Sequence, residues 1–451
     1  MRDAQSSDEF VIDFSALPLS SDLLRLIADE KEEFEAVLGR AVAFRRAGEG
    51  DAAWIVEVPR NVGVGPELRW ESPTRLASVA GSESDLMATM NALHTLSRRE
   101  VGAVAVGPAA SVGDAVELIR EEIANTFPSF ALRRLDWDEI SERHLRTLPE
   151  ASEFSDFAAS WIAELGDAHT AIRTPESGGF APPYRGGLAA DGVHLSEVPT
   201  GSAAWEAGVR PGWIVEVGDT ARLMRTVGAT PQQLSQVRAR RAMAIRGELR
   251  VFRARDERSG REIEWEERPE PPNLENTVRV EGPADDRWVR VRAFDPRVDL
   301  QALFDEVIAG ASSSSRITID LRGNTGGSIL LATDLRDRFL RARTMIGYVA
   351  FTDGRGGMAP RRERWADPSE RSRWPGRVDL LIDAMTYSAS EDFVLGLQGM
   401  EHVRVGGSVS GGGSGRPCRI PVLPGIDLTV STAITYDRKG FPVEFRGIHP
   451  D

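Results

Sequence analysis

Between Ser21 and Arg40 the apolar residues Leu23, Leu24, Ile27, Phe34, Val37 and Leu38 recur at helical spacing, with a serine at the start and Gly39 near the stop. The pattern predicts an amphipathic helix. Val42 to Phe44 and Trp54 to Val58 flank Gly48-Glu49-Gly50-Asp51, which reads as a hairpin. Ser84 to Arg98 predicts a second helix with Leu86, Met90, Leu93 and Leu96 inward. Residues 1–105 therefore read as a small α+β domain of unknown role. His94 sits among apolar helix positions there, the place of a core or surface histidine and not of a ligand.

Ser111 to about Gly166 is mostly helical in pattern, with Val116, Leu118 and Ile119 on one stripe and Trp137, Ile140 and Leu145 on another. A strand-rich segment runs from about Tyr184 to Trp265 and ends in the charged, proline-rich linker Glu266 to Pro272. Beyond it, Arg316 to Leu321 and Val378 to Asp383 read as buried strands. Each is followed by a turn and a helix, at Ile329 to Leu340 and Ser388 to Leu397. Strand-turn-helix repetition predicts an α/β core.

Composition narrows the partners. Asp and Glu number 69 against 55 Lys and Arg, a formal charge of -14, and that field repels nucleic-acid phosphates and anionic membrane surfaces. Cys418 is the only cysteine, which excludes an internal disulfide and any zinc site built on two thiolates. No apolar run approaches the roughly 18 residues of a membrane span. With Met1 to Phe10 as a native start, the expectation is a soluble, cytoplasmic protein without metal or other cofactor. Lys31 and Lys439 are the only lysines, so a catalytic lysine has almost nowhere to come from.

Three segments carry candidate chemistry. Asp320-Leu321-Arg322-Gly323-Asn324-Thr325-Gly326-Gly327 runs from a buried strand into a glycine-rich turn, either a tight turn that needs glycine or a cradle of N–H groups for an anion. Thr386-Tyr387-Ser388-Ala389-Ser390-Glu391 puts Ser388 at a helix start; Ser-x-x-Glu alone favours a capping box over a nucleophile. Gly166-Asp167-Ala168-His169-Thr170 supplies a histidine among small and polar residues. A serine hydroxyl needs such a base within reach to attack a carbonyl.

Together these segments resemble the signatures of one family of serine peptidases, which includes the tail-specific (carboxy-terminal-processing) proteases, the tricorn core and the retinoid-binding-protein modules. The closing Glu444-Phe445-Arg446-Gly447-Ile448-His449-Pro450-Asp451 and the upstream Thr126-Phe127-Pro128 with Leu135-Asp136-Trp137 are similar to that family's elements too. The resemblance spans about residue 112 to the end. It implies an α/β fold: a crotonase/ClpP-like spiral ββα core with an inserted PDZ-like β domain, a helical N-terminal subdomain and the extra α+β domain. The expected boundaries are 112–180 for the helical subdomain carrying the histidine, 183–268 for the PDZ-like domain and 274–451 for the peptidase core.

Tail-specific members carry a lysine after the nucleophile; here Gly412 holds that place within Val405 to Gly413, and Lys439 lies in a turn-like segment. The resemblance therefore implies the tricorn-like constellation, with Ser388 as nucleophile, His169 as base, and Glu444 tuning the imidazole through an intervening hydroxyl. Tricorn has a serine just before its histidine, where this chain has Ala168. The Gly326 and Ala389 N–H groups would hold the oxyanion. Gly201 to Ile214 follows a PDZ pattern, with Trp213 where the family usually has aspartate, and Arg185-Gly186-Gly187-Leu188 lies where PDZ domains bind a peptide carboxylate. Gly186, Gly187 and Leu188 are thus the expected peptide-binding residues, with a gate packed on the core as the alternative.

The implied activity is a serine endopeptidase acting on peptides or on unstructured or C-terminal protein segments. A catalytically silent binding module, acyl-CoA chemistry on the same spiral, and a ligase or cyclase using the same acyl-enzyme are the competing readings. The expected partner is a peptide or protein substrate. The chain stops at Asp451 directly after the closing element, where many relatives continue, so either a last element is missing or a homo-oligomer neighbour covers it.

Overall fold

The structure, a computed structural model, describes Phe10–Asp13, Val42–Arg45, Trp54–Glu57, Glu67–Ser72, Arg75–Val79 and residues 109–451 apart from 147–149, 176–178, 269–276 and 296. The helices expected at 21–40 and 84–98, and His94, lie outside the described residues. The five N-terminal segments, β1 to β5 in chain order, form one sheet in the order β2-β1-β3-β5-β4. Here the expected hairpin does not form. Both β2 and β3 run parallel to β1, one on each side of it. The four-residue apolar strand Phe10–Asp13 inserts between them, so Gly48 to Asp51 cannot join adjacent partners.

The next segment is helical, as its stripes predict. Helix α1 (Val112–Thr126) starts where Ser111 accepts the Asp114 N–H at 3.1 Å, and it buries Ala115, Val116, Ile119 and Ile123. Short α2 (Phe130–Arg133), α3 (Trp137–His144) and α4 (Phe154–Ala163) complete the layer. Trp137 stacks on fully buried Trp161 at 5.0 Å. After α4 the chain turns through His169 into β6 (Ala171–Arg173).

A second sheet follows, made of β7 (Arg185–Ala189), β8 (Gly192–Glu197), β9 (Ile214–Val215), β10 (Arg250–Arg255) and β11 (Glu262–Glu267), with each strand antiparallel to its neighbour in chain order. Its core holds Leu188, Val193, Phe252 and Trp265, and Trp213 fills the same core. Helix α5 (Ala203–Ala207) ends on Gly208 in the left-handed region, at φ +100°. Helices α6 (Thr220–Thr226) and α7 (Leu234–Ala242) close the unit, α7 lying on the edge strand β7.

The C-terminal core is a third sheet, β12-β13-β14-β17-β18: Val278–Glu281, Asp286–Val291, Arg316–Asp320, Arg377–Ile382 and Val403–Gly407. From β13 to β18 all neighbours are parallel. Four of the five residues of β14 are buried, the continuous burial of a strand covered on both faces. Helices α8 (Leu300–Ile308), α9 (Ile329–Asp337) and α10 (Ala389–Leu397) pack around it. Two smaller sheets flank the core: β15 (Thr344–Phe351) between β16 (Arg362–Ala366) and β21 (Ala433–Tyr436), and β20 (Ile426–Val430) between β19 (Cys418–Leu423) and β6. The β20–β6 pairing stitches the helical segment to the core. Among the described residues, no helix is long and apolar enough to cross a membrane, and no cluster of three metal-ligating side chains occurs.

Phe393 of α10 is fully buried, with ring centroids 5.8 Å from Phe294 and 6.1 Å from Phe339. Phe393→Ala is expected to cost about 3–5 kcal/mol, read as a lower midpoint in chemical denaturation.

Candidate active site

Adjacent parallel strands deliver two turns to one edge. Ile317 lies opposite Val378 and Asp320 opposite Leu381, so β14 and β17 end together and their following turns meet. The turns then satisfy each other's buried polar groups. The Leu321 N–H bonds Leu381 O at 2.9 Å, and the Thr386 hydroxyl bonds Leu321 O at 2.9 Å. The Tyr387 N–H donates to Asn324 O at 3.0 Å, and the Gly323 N–H to Asp383 Oδ1 at 2.8 Å.

Ser388 sits where this second turn becomes α10, at φ +58° and ψ -126°. A non-glycine residue in that region is strained, and such strain is held only where surrounding bonds fix it. Here its N–H donates to Gly413 O at 3.1 Å. Its hydroxyl does not cap the helix: the Glu391 N–H goes to the Ser388 carbonyl at 2.8 Å. Ser388 Oγ lies instead 3.2 Å from His169 Nε2, across 219 residues of chain. The structure thus brings Ser388 and His169 together.

Asp167 holds the histidine loop. Its Oδ1 accepts the His169 backbone N–H at 3.1 Å and the Tyr387 hydroxyl at 3.2 Å, while Oδ2 accepts the Thr170 and Ser431 hydroxyls, each at 2.6 Å. The imidazole stacks on the Tyr387 ring at 4.7 Å. Asp167, Tyr387 and Ser431 were not singled out from sequence. The one available signal was the Asp-x-His spacing, which suits a side chain bonding the backbone two residues on. Burial lowers the His169 pKa below the ordinary histidine value, with Arg173 acting the same way and Asp167 opposing. The ring is therefore neutral at neutral pH.

Three expectations require correction. Glu444 is buried in the site region, but its carboxylate accepts only backbone N–H groups, from Thr435 at 2.9 Å and Ser414 at 3.3 Å. Among the described residues, no hydroxyl links it to His169. The hydroxyls of Ser414 and Thr435 bond each other instead, and the His169 Nδ1 is buried with no partner among the described residues.

The Gly326 N–H is committed to Asn324 Oδ1 at 2.9 Å, because the asparagine side chain folds back within its own turn. Gly326 still matters sterically: at φ +101° an added Cβ would lie 2.9 Å from Ser388 Cβ. The Ala389 N–H bonds no acceptor among the described residues. Finally, Gly186, Gly187 and Leu188 form no loop. They pair with Leu195, His194 and Val193 in the β7–β8 ladder, and a Cβ placed on Gly187 would sit 3.3 Å from Ser235 Oγ, so α7 packs closely over this strand.

Arg185, noted in sequence only as the flank of that loop, reaches across instead. Its guanidinium bonds Asp383 Oδ2 at 3.0 Å and Arg322 O, clasping the second sheet to the glycine-rich turn. Lys439 is exposed in a turn.

Residues 288–451 match the family model described as peptidase family S41. No curated protein matches the chain in sequence. In fold the chain is similar to the photosystem II D1 C-terminal processing protease, at 16% identity over 76% of this chain and 93% of that one, with a TM-score of 0.51. It is also similar to mature CPAF complexed with lactacystin, at 13% identity over 75% of this chain and 93% of that one, with a TM-score of 0.56. The tricorn protease matches at 16% identity over 75% of this chain and 34% of its own, with a TM-score of 0.37. The class of protein defined here is a serine peptidase. Through residues 288–451 the chain carries a domain of peptidase family S41.

Two buried acids make stability depend on pH. Burial raises Glu391 to about 7 against the donors Ser410 Oγ and the Gly412 and Gly413 N–H groups, and raises Glu444 to about 8, with Glu391 adding repulsion. The folded state then keeps protons that the unfolded chain releases near 4.5. That stabilisation is complete below the unfolded value and is lost as pH rises through the folded values. His169 acts oppositely, losing stability as pH falls below 6.5. Thermal melts from about pH 6 to about pH 9 are expected to show Tm falling in the wild type and falling less in Glu444→Gln. Parallel curves would show that Glu444 is ionised throughout.

Proposed function

We propose that the chain is a serine endopeptidase that cuts peptides, or unstructured and C-terminal segments of proteins, through an acyl-enzyme on Ser388 with His169 as general base. The observation that carries this is the 3.2 Å approach of His169 Nε2 to a strained, uncapped Ser388 hydroxyl at the start of α10. Ser388 Oγ attacks the scissile carbonyl carbon while its proton passes to Nε2. Collapse of the tetrahedral intermediate breaks the C–N bond, and the departing amine takes that proton. Water, deprotonated by the same imidazole, then releases the acyl group.

The developing oxyanion falls to the Ala389 N–H at the first turn of α10, where the helix dipole favours negative charge.

Proton transfer to Nε2 requires a proton on Nδ1, and a buried N–H there needs an acceptor. Ser431 is in the same neighbourhood: a Cβ on Gly415 would lie 2.8 Å from Nδ1 and also against Ser431 Oγ, though the two are not hydrogen-bonded to each other. A movement that brings Ser431 Oγ within reach of the Nδ1 proton, while its hydroxyl still donates to Asp167, would give the imidazole the orienting group that Glu444 does not supply. The antiparallel sheet β7–β11, with α7 along its edge strand, supports a PDZ-like reading of residues 183–268.

The test is wild type against Ser388→Ala and His169→Ala on a diverse peptide mixture, with products read by mass spectrometry. Each variant is expected to lose at least about a thousandfold in turnover, because the groups act as a unit. An enzyme that kept its rate without His169 would overturn the assignment. The acid limb of kcat/KM is expected below pH 6.5, since burial holds the base neutral to a lower pH. Ser431→Ala is expected to lower kcat more than it changes KM, the mark of a positioning residue.

A further inference from the structure

A cavity of about 430 Å³ opens beside His169 and Tyr387, walled by α4, the start of β6, α6 and α7. Its lining inverts the charge of the molecule. The chain carries a formal charge of -14, yet this cavity gathers Arg173, Arg222, Arg240, Arg241 and Arg246 against one described carboxylate, Asp156. That carboxylate is already taken, since both its oxygens bond Arg222 at 2.5 Å.

Among the described residues, no carboxylate forms an ion pair with Arg173, Arg240 or Arg246. The Arg240 side chain makes a long hydrogen bond, 3.4 Å, to Thr325 Oγ1 of the glycine-rich turn. The cations thus sit between the second sheet's helix α7 and the turn that borders Ser388. Arg240 is accessible to solvent, but from within the cavity, so its guanidinium is surrounded by protein atoms while facing open space.

Gathering like charges in a partly desolvated cleft is unfavourable, and the cost shows in the cluster. Burial first, then repulsion from Arg173, Arg246, Arg222 and Arg240, brings the Arg241 pKa down to about 10. Arg240 and Arg173 are lowered as well, chiefly by burial. All remain cationic at neutral pH. Low-dielectric walls focus such a field on the cavity, raising the local concentration of anions. A bound carboxylate would offset the desolvation through charge-assisted hydrogen bonds. One terminal carboxylate supplies a single charge to this surplus, whereas a run of Asp or Glu side chains supplies several.

We propose that this cavity sets the specificity of the peptidase and takes acidic peptide segments, with Asp or Glu side chains beside the scissile bond lying against Arg173, Arg240 and Arg246. The proposal rests on the serine peptidase reading of the neighbouring Ser388 and His169. It names the substrate class for that site.

Binding separates the two claims, because it needs no turnover. The full chain carrying Ser388→Ala is titrated, by fluorescence anisotropy, into a labelled Glu-rich peptide and its Gln counterpart, each as C-terminal acid and amide. The Glu-rich peptide is expected to bind at least about tenfold more tightly than its Gln counterpart, in both terminal forms. The preference should shrink with added salt. Adding Arg240→Gln and Arg246→Gln should abolish it, while Arg240→Lys, which keeps the charge, should retain part of it. Equal binding of the Glu and Gln peptides would overturn the proposal. So would a preference that follows the terminal acid alone, or one that survives the Gln variants in chains whose melting matches the parent. Labelling of wild-type Ser388 by a fluorophosphonate reports on the serine chemistry separately.

Discussion

The in-register parallel pairing of Arg316–Asp320 with Arg377–Ile382 is the constraint on which the site depends. Because side chains alternate along a strand, a one-residue slip would turn the buried Ile317 and Ile319 to the opposite face and separate the two strand ends. In the observed register the turns at 321–327 and 383–388 are pressed together at one edge, with Leu321, Asn324, Gly326, Thr386 and Tyr387 buried. Each turn then becomes the hydrogen-bonding partner of the other, through Asn324 with Tyr387, Leu321 with Thr386, and Gly323 with Asp383. The strained conformation of Ser388 persists because its flanks are fixed in this way.

His169 reaches the site from a different layer, and its placement depends on a different pairing. Residues 171–173 join β20, which puts Thr170 beside Ser431 and lets Asp167 accept from both hydroxyls. Asp167 also bonds the Tyr387 hydroxyl, next to the nucleophile. One buried carboxylate therefore ties the histidine loop, the end of β20 and the serine turn. On the other flank Arg185 joins the second sheet to Asp383 and to the Arg322 carbonyl. A displacement of that sheet would pull on the glycine-rich turn through this guanidinium.

Much of this was legible in the sequence where the signal is local. The buried runs of β14 and β17, the helices after them and the turn residues between are short-range patterns, and the structure has them within one to three residues, as with α9, which ends at Asp337 where the pattern runs to Leu340. Ser388, His169 and Glu444 could be named from motifs. Their mutual contacts could not, because side-chain direction depends on tertiary packing. Glu444 illustrates the limit: the motif marks a glutamate, and only the fold shows its carboxylate spent on the Thr435 and Ser414 N–H groups. Asn324 and Gly326 show another, since an asparagine two residues before a glycine N–H can claim that N–H locally. The N-terminal strands failed as a hairpin because pairing with a distant short strand leaves no periodic trace. The arginine cavity was illegible for a similar reason: its cations come from residues 173 to 246 and meet only in space.

The absence of a lysine at position 412 also has a structural reason. Gly412 has φ +82°, and a Cβ there would lie 3.0 Å from the Gly447 N and 3.2 Å from the Phe445 N. The closing segment, which includes Glu444, occupies the space that any side chain at 412 would need. Meanwhile the Gly412 and Gly413 N–H groups both donate to Glu391, at 2.8 Å each, and the Gly413 carbonyl takes the Ser388 N–H. The loop that would carry a lysine is thereby turned into a brace running from the buried Glu391 to the backbone of the nucleophile. A base for Ser388 must then come from elsewhere, and the helical segment supplies it. The glutamate three residues after the serine braces the loop under Ser388, while the serine hydroxyl is left free to face His169.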